Sequence, residues 1–147
     1  MALATLSQSG YSVKPIQEKL GYKPGSTAAF IALPETLAEL PARGDFGKVA
    51  KRQDWTRPVG PTVYDVIHAF TKSRAELAAG LPKLRKYLQP DGMIWISWPK
   101  KSSKVPTDVT EDVVRAEALK LDLVDVKVAA IDDTWSGLKL VVRVHLR

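Results

Sequence analysis

Three lysines follow an apolar run in the second half of the sequence. Lys100 and Lys101 come directly after "MIWISWP", and Lys104 follows two serines later. Ammonium groups, together with the hydroxyls of Ser102 and Ser103, can bind phosphate or carboxylate through charge-assisted hydrogen bonds. A run of like charges is also typical of a solvated loop. The glycines of a phosphate-binding loop are absent. This segment is therefore either an anion site or a soluble strand end.

A second segment with chemical potential is "DDTWSG", residues 132–137. Trp135 could form a planar platform for a ligand, or it could fold over the end of a hairpin. Adjacent acids such as Asp132 and Asp133 more often stabilise a turn through backbone contacts than act as a catalytic pair. We expect Trp98 and Trp135 to supply the apolar sides of one pocket. The candidate ligand-binding residues are Lys100, Lys101, Ser102, Ser103, Trp98, Trp135, Ser136 and Asp132.

The sequence identifies no catalytic residue and no metal site. It contains no cysteine and only two histidines, His68 and His145, which argues against a thiolate or histidine metal cluster. His68 lies inside an apolar run, where a hydrogen-bonded structural histidine is expected rather than a general base. No Ser or Cys nucleophile is recognisable beside it, and His145 is expected on an exposed face.

A basic stretch, "RGDFGKVAKRQDWTR" (43–57), places Phe46 and Trp55 among lysines and arginines. Charge and aromatic stacking together are typical of binding to a nucleic-acid backbone. Two acids dilute the stretch and no recognition motif accompanies it. Nucleic-acid binding is therefore kept as an alternative only.

The composition predicts one compact domain over residues 1–147. The chain is 45% hydrophobic and 26% charged, with a formal net charge of +6. These values are ordinary for a globular domain, and the positive charge favours weak attraction to anionic partners. Neither a signal-peptide pattern nor an apolar run long enough to cross a membrane is present. We expect a cytoplasmic protein with no membrane partner.

Glycines and prolines divide the first half of the chain into elements. A lead-in region over residues 1–25 contains a short predicted helix at 14–21. An apolar run at 27–33 predicts a strand covered on both sides, and 34–40 reads as a helix start. Residues 41–62 carry several prolines and glycines and a basic excess. They predict an irregular basic insertion.

Stronger signals follow from residue 63. A strand is predicted over 63–70, and Ser73 with Glu76 forms a capping box at the start of a helix. Gly80 and Pro82 are expected to kink this helix or divide it in two.

The rest of the chain repeats the strand and helix alternation. "PDG" at 90–92 predicts a turn before a strand at 93–98, and "DVTE" at 108–111 offers a second capping box before a helix at 112–121. The segments 124–131 and 138–147 alternate with period two and should pair as a hairpin. Five apolar residues of the last segment should share one face: Leu138, Leu140, Val142, Val144 and Leu146.

Strands alternating with helices predict a three-layer α/β fold with a mostly parallel sheet, closed by the C-terminal antiparallel hairpin. The loops after residues 33, 70 and 98 should then emerge at the carboxyl edge, where open α/β sheets bind ligands. The lysine segment lies on that edge. If the strand from residue 124 is parallel to the others, "DDTWSG" emerges beside it.

Several motifs resemble known families. "YDVIHAF", "LPKLRKYLQPDGMIWISWPK" and "LVDVKVAAIDDTWSGLKLVVRV" resemble the second half of a class I S-adenosylmethionine-dependent methyltransferase fold. "GYSVKPIQEKLGYKPG", "SWPKKSS", "TDVTEDVVR" and "DDTWSGLKLV" resemble a bacterial domain-of-unknown-function family, the one numbered three thousand and fifty-two. The second resemblance spans nearly the whole chain and implies a Rossmann-like fold, but it implies no reaction.

The methyltransferase resemblance implies two cofactor-binding features, a glycine-rich turn after the first strand and an acidic residue after the second. No glycine lies between Ile31 and Leu40, and only Asp45 and Asp54 could supply the acid. We therefore expect no cofactor and predict a binding or regulatory module with an anion-binding carboxyl edge. The alternatives are a divergent enzyme at the same edge, a nucleic-acid-binding module, and a module that self-associates as a homodimer through the edge of the C-terminal hairpin.

Overall fold

A computed structural model describes residues 14–60 and 62–147 of the chain. Its six strands form one sheet: β1 (Thr27–Ile31), β2 (Lys48–Arg52), β3 (Tyr64–Phe70), β4 (Leu88–Pro99), β5 (Leu123–Ala130) and β6 (Trp135–Val142). The strand order is β2-β1-β3-β4-β6-β5. The first four strands of that order are parallel, and β6 is antiparallel to both β4 and β5. The predicted α/β fold with a mostly parallel sheet is confirmed.

The helices connect the strands. They are α1 (Ile16–Lys19), α2 (Leu40–Arg43), α3 (Arg74–Lys86) and α4 (Glu111–Leu119), with short 3-10 turns at Glu35–Leu37, Lys101–Ser103 and Val144–Leu146. Side-chain caps begin both long helices: the Ser73 hydroxyl accepts from the backbone N–H of Glu76, and the Thr110 hydroxyl from that of Val113. Each cap satisfies a donor that the first helical turn leaves free.

Apolar side chains cover both faces of the sheet, because the central strands alternate between two core clusters. On one face Ile67 and Ile96 pack in the same cluster as Leu77 of α3 and Val114 of α4. On the other face the cluster contains aromatic residues of β1, β3 and β4 together with N-terminal side chains: Phe30, Phe70, Trp95, Leu20 and Tyr22. Burial on both sides explains why β1, β3 and β4 read as continuous apolar runs.

Part of the predicted irregular insertion at 41–62 is regular, and this prediction needs correction. Residues 40–43 form α2, and residues 48–52 form β2, which pairs in parallel with β1. β2 is an edge strand whose side chains are exposed or half-buried. Its sequence, "KVAKR", therefore has neither the apolar run of a central strand nor a clean alternation.

The predicted turn at 90–92 is also different in the structure. These residues lie inside β4, where the register with β3 shifts from Tyr64↔Leu88 to Val66↔Met93. The extra residues form a bulge, which explains why "PDG" resembles a turn. A Cβ on Gly92 would lie 2.7 Å from the backbone oxygen of Asp65, so the close approach of the two strands requires glycine here.

Two helices differ from their predictions. α3 runs unbroken through Gly80 and Pro82, so it is not divided in two. Pro82 has no N–H, so the carbonyl of Ala78 loses its helical hydrogen bond. Both residues are exposed, so water can solvate that carbonyl. α4 spans Glu111–Leu119, close to the predicted 112–121, but its N-cap is Thr110 and not the first residue of the predicted capping box, Asp108.

The two ends of the chain match their predictions only in part. The predicted helix at 14–21 corresponds to α1, and the rest of the lead-in prediction over 1–13 lies outside the described residues. β6 ends at Val142 rather than continuing to 147, because the backbone N–H of Arg143 bonds to Asp122 and the chain turns. Val144 and Leu146 are exposed and do not share the buried face of the preceding apolar residues.

Candidate functional site

A groove of about 320 Å³ lies at the carboxyl edge of the sheet. β1, β3 and β4 are parallel, so the segments that follow them meet there. The groove is lined by Ala32, Pro34, Phe70, Thr71, Lys72, Ser73, Glu76 and Trp135. Its walls are mainly apolar, and Phe70 and Trp135 pack edge to face with ring centres 5.3 Å apart. An open α/β sheet commonly binds its ligand at this edge.

The turn after β1 forms one side of the groove. Ala32 has a φ of 56°, in the left-handed region, and its backbone N–H donates to the carbonyl of Arg52 at 2.9 Å. That bond ties the turn to the end of β2. Pro34 follows two residues later and has no backbone N–H to offer a ligand.

Lys72 is a cation of the groove that the sequence analysis did not identify. The backbone holds this position firmly: the N–H of Thr71 donates to Ser97, and the carbonyl of Lys72 accepts from Thr107 at 2.7 Å. The ammonium group has no hydrogen-bond or ion-pair partner among the described residues. Its place in the sequence could have indicated this role, because Lys72 stands two residues after β3 at the carboxyl edge.

The lysine segment forms a compact turn beside the groove. The backbone N–H of Lys100 donates to Thr134 at 2.7 Å, so the turn lies against the segment that precedes β6. The hydroxyl of Ser103 donates to the carbonyl of Lys100 at 2.6 Å, and Lys104 adopts a left-handed φ of 61°. Lys101 and Ser102 are exposed. The structure thus brings the two predicted segments together, although the lysine turn does not line the groove itself.

Asp132 stabilises the β5–β6 turn, as adjacent acids commonly do. Its carboxylate accepts hydrogen bonds from the backbone N–H groups of Thr134 and Trp135, at 2.8 and 2.7 Å. This is the turn-forming role that the sequence analysis weighed against catalysis.

Trp98 and Trp135 do not flank a common pocket. Trp98 packs into the cluster on the face covered by α3 and α4, whereas Trp135 belongs to the cluster on the opposite face. Trp98 is opposite Ser136 in the β4–β6 register, and Trp135 is opposite Pro99. The pocket predicted between the two indoles is therefore not formed, because neighbouring positions on a strand point to opposite faces.

His68 lies in a buried polar chain rather than in an open site. Its Nδ1 is 2.6 Å from the hydroxyl of Tyr22, and its Nε2 is 2.7 Å from the hydroxyl of Ser97. The ring stacks on Phe70 at 4.5 Å, and both His68 and Ser97 have no exposed surface. Burial lowers the pKa of His68 to about 3 and raises that of Tyr22. The imidazole is therefore neutral and inaccessible to a substrate, which confirms the structural histidine.

Ser97 is a partner of His68 that was not predicted from the sequence. In the β3–β4 register His68 lies opposite Trp95, and Ser97 follows two residues later on the same face. The arrangement of serine and histidine resembles a nucleophile and its base, but catalysis would require access for a substrate. The chain of hydrogen bonds instead satisfies polar groups in the core.

The basic stretch proposed for nucleic acid does not form one stacking surface. Phe46 packs against Tyr22, with ring centres 5.1 Å apart, on one face of the sheet. Trp55 packs against the cluster on the other face and donates from Nε1 to the carbonyl of Phe70 at 2.8 Å. The two aromatic rings are therefore separated by the sheet.

Two further classes of site can be assessed across the described ranges, 14–60 and 62–147. No group of three or more His, Cys, Asp or Glu side chains there is arranged to hold a metal ion. Likewise, no helix within these ranges has the length and apolar character needed to cross a membrane.

The carboxyl edge does not fit S-adenosylmethionine in the manner that the family resemblance implies. Ala32 occupies the left-handed position of the turn where a glycine would let the cofactor approach the backbone. β2 ends on Arg52, a cation, and the nearby Asp54 accepts hydrogen bonds from the backbone and the hydroxyl of Thr56. Those bonds hold the pKa of Asp54 below its usual value. The other acid considered, Asp45, precedes β2 instead of following it.

No protein-family model matches the chain, and no curated protein matches it either. The resemblance to the bacterial domain-of-unknown-function family therefore stays a prediction. Solved structures do match. A SAM-dependent methyltransferase from Aquifex aeolicus has a TM-score of 0.62 at 14% identity, covering 87% of this chain and 88% of that chain.

Two other methyltransferases match to a similar degree. Magnesium protoporphyrin IX methyltransferase from Synechocystis has a TM-score of 0.60 at 9% identity and covers 87% of this chain and 74% of that chain. The N-methyltransferase NodS from Bradyrhizobium japonicum has a TM-score of 0.57 at 10% identity, with coverages of 84% and 90%. Identities this low establish a shared fold and nothing more. The chain is therefore similar in fold to S-adenosylmethionine-dependent methyltransferases of class I.

Proposed function

We propose that this chain is a three-layer, methyltransferase-like binding or regulatory domain, closed by its C-terminal hairpin, which holds an anionic small molecule at its carboxyl edge. The observation that carries the proposal is the groove beside Trp135, with Lys72 in its wall and the lysine turn next to it. The turn after β1 lacks the features that would favour S-adenosylmethionine there.

Three cations are available to the ligand: Lys72, Lys100 and Lys101. None of their ammonium groups has a hydrogen-bond or ion-pair partner among the described residues. A phosphate or carboxylate would gain charge-assisted hydrogen bonds from them and from the exposed hydroxyl of Ser102. Phe70 and Trp135 would contact the apolar part of the ligand.

Not every predicted ligand-binding residue remains a candidate. Asp132 and Ser103 are engaged in local turns, and Trp98 is buried on the face away from Trp135. Ser136 is half-buried and lies opposite Trp98 in the sheet. We keep Lys72, Lys100, Lys101, Ser102 and Trp135 as the binding surface.

A thermal-shift screen of phosphate, pyrophosphate, acetyl phosphate and nucleotides tests the proposal. A ligand that binds only the folded protein at 100 times its Kd should raise the free energy of unfolding by roughly 2.7 kcal/mol. The double variant Lys100→Gln, Lys101→Gln and the single variant Lys72→Gln should each keep the parent melting temperature without ligand. Each should lose most of the stabilisation by ligand.

A matched control separates binding from net charge. Lys48→Gln with Lys51→Gln removes two exposed positive charges from β2. This control should respond to the ligand as the parent does. If all three variants respond like the parent, or if no phosphate or carboxylate compound stabilises the protein, the anion edge does not exist.

Self-association is a second candidate, favoured by the outer edge of β5. β5 pairs only with β6 among the described strands, and Val126 and Val128 on it are 53% and 49% exposed. An unpaired strand edge with exposed apolar residues can pair with a second copy of the chain. Sedimentation analysis should then show a concentration-dependent dimer that Val128→Lys abolishes. A monomer at every concentration would exclude this candidate.

A further inference from the structure

A second cavity, of about 280 Å³, lies between α3 and the segment that joins β2 to β3. It is separate from the carboxyl-edge groove, and the two share no lining residue. Ile31, Val59 and Leu84 form its apolar part, and all three are buried.

Two aromatic side chains form walls of this cavity, and glycines set the position of both. A Cβ on Gly80 would lie 2.3 Å from Cε3 of Trp55, so the indole rests directly against α3. The hydrogen bond from Trp55 to Phe70 fixes the ring from the other side. A Cβ on Gly60 would likewise lie 2.3 Å from the ring of Tyr87. Trp55 and Tyr87 are both half-buried, so part of each side chain is left uncovered.

The rest of the wall is strongly basic. Arg57, Lys83 and Lys86 line the cavity, and no carboxylate residue does. Within the described part of the chain neither Lys83 nor Lys86 takes part in an ion pair, and Arg57 makes one exposed contact, at 3.8 Å, to Asp54. Basic residues also suit the last turn of a helix, where the helix dipole is negative. Their convergence with Arg57 from another segment is not explained by the dipole.

We propose that this cavity binds a planar aromatic molecule that carries a phosphate, of the size of a nucleoside monophosphate. The volume is just below the range of about 300 to 1,000 Å³ that small-molecule sites occupy, which limits the occupant to a small ligand. The rings of Trp55 and Tyr87 offer stacking surfaces for the planar part. The three cations offer charge-assisted hydrogen bonds to the phosphate.

Titration with adenosine and uridine monophosphates, followed by tryptophan fluorescence, tests this proposal. Trp55 lines this cavity and the other three tryptophans do not, so a ligand bound here should change the fluorescence of Trp55. We expect saturable binding with at least tenfold weaker affinity for Lys83→Gln, Lys86→Gln than for the parent. Both lysines are exposed on α3, so this variant should fold normally, and circular dichroism checks that it does.

Three further arms make the result specific. Lys48→Gln, Lys51→Gln removes the same charge from β2, outside both proposed sites, and should bind as the parent does, which separates binding in this cavity from an effect of net charge. Tyr87→Leu should weaken the nucleotides at least fivefold, because it removes one stacking surface. Inorganic phosphate alone should bind at least tenfold more weakly than the nucleotides.

Several outcomes would overturn the proposal. One is the absence of saturable mononucleotide binding up to millimolar concentration. Another is an equal loss of affinity in the two double-lysine variants, which would indicate an effect of net charge. A third is binding of a single-stranded oligonucleotide without binding of mononucleotides, because that would place the interaction on the surface instead of in the cavity.

Discussion

His68 is held between two hydroxyl groups in the core, and this environment makes stability depend on pH. Its pKa is about 3 in the folded chain against about 6.5 when unfolded, because burial disfavours the charged ring. Below about pH 6.5 the unfolded chain therefore binds a proton that the folded chain does not. Stability is complete above that pH and is lost as the pH falls.

The expected loss from this one group is about 2 kcal/mol between pH 7.5 and pH 5. Urea unfolding at the two pH values measures it. His68→Gln should be less stable than the parent at pH 7.5, because a buried hydrogen-bonded group is changed, but its stability should vary much less over the interval. Parallel pH dependence in parent and variant would mean that the imidazole is not responsible.

Ala32 shows strain at a single residue. A φ of 56° costs a residue with a Cβ roughly 1 to 2 kcal/mol, which glycine avoids. The extra backbone entropy of glycine offsets roughly 0.5 to 1 kcal/mol of that. Ala32→Gly should therefore leave stability unchanged or raise it by up to about 1.5 kcal/mol. Ala29→Gly, at a buried position of β1, should lower it, and denaturant melts of the two variants test the contrast.

Sequence reasoning at the residue scale succeeded where the neighbours in the chain decide the environment. The apolar run around His68 correctly predicted a structural histidine. Ser97 was missed because its approach depends on the β3–β4 register, which a single sequence does not contain. The pocket between Trp98 and Trp135 was wrongly predicted for a similar reason, since their faces depend on how β4 and β6 pair.

Among the elements, α3 carries a glycine whose role is contact rather than flexibility. Gly80→Ala should gain about 1 kcal/mol in helix propensity. It must also displace the ring of Trp55, which its hydrogen bond to Phe70 holds in place, at a cost of typically 1 to 3 kcal/mol. We expect a net loss of stability and increased quenching of Trp55 by acrylamide. The exposed neighbour Ala79→Gly should lose about 1 kcal/mol without changing the quenching.

The elements were predictable in proportion to their burial. Central strands and capped helices have strong local signals, and β1, β3 and α4 were found close to their observed bounds, as was the capped start of α3. β2 was missed because an edge strand with one partner does not need apolar residues on both faces. The end of β6 was misplaced because alternation continues in the sequence after the partner strands have ended.

For the whole molecule, the fold resembles that of methyltransferases, but the residues at the expected cofactor site differ from what such a site requires. The fold matches methyltransferases, but the turn at Ala32, Pro34 and the arginine that ends β2 do not suit S-adenosylmethionine. Calorimetry should detect no saturable binding of S-adenosylmethionine at micromolar concentration. Ala32→Gly should not restore it, because Pro34 still lacks a donor and Arg52 is still a cation. Micromolar binding by the parent would instead favour a divergent enzyme.

The overall architecture was the most predictable level, and the site the least. Alternation of strands and helices predicted the parallel sheet and the meeting of three loops at one edge. The same reasoning could not find Lys72 or the basic cavity beside α3. Those depend on side-chain directions and on the path of the β2–β3 connection, which has no periodic pattern.

The strand order has a consequence for how protons exchange with solvent. β3 and β4 have a neighbour on each side, whereas β2 and β5 stand at the two margins. In deuterated water, the amides of β3 and β4 should exchange slowest, through opening of the whole molecule. The amides on the outer sides of β2 and β5 should exchange faster, through small local openings that leave the rest of the sheet folded. The amides of Ile67 and Ile94, paired at the centre, would then report global unfolding, and that of Lys51 only the fraying of a margin.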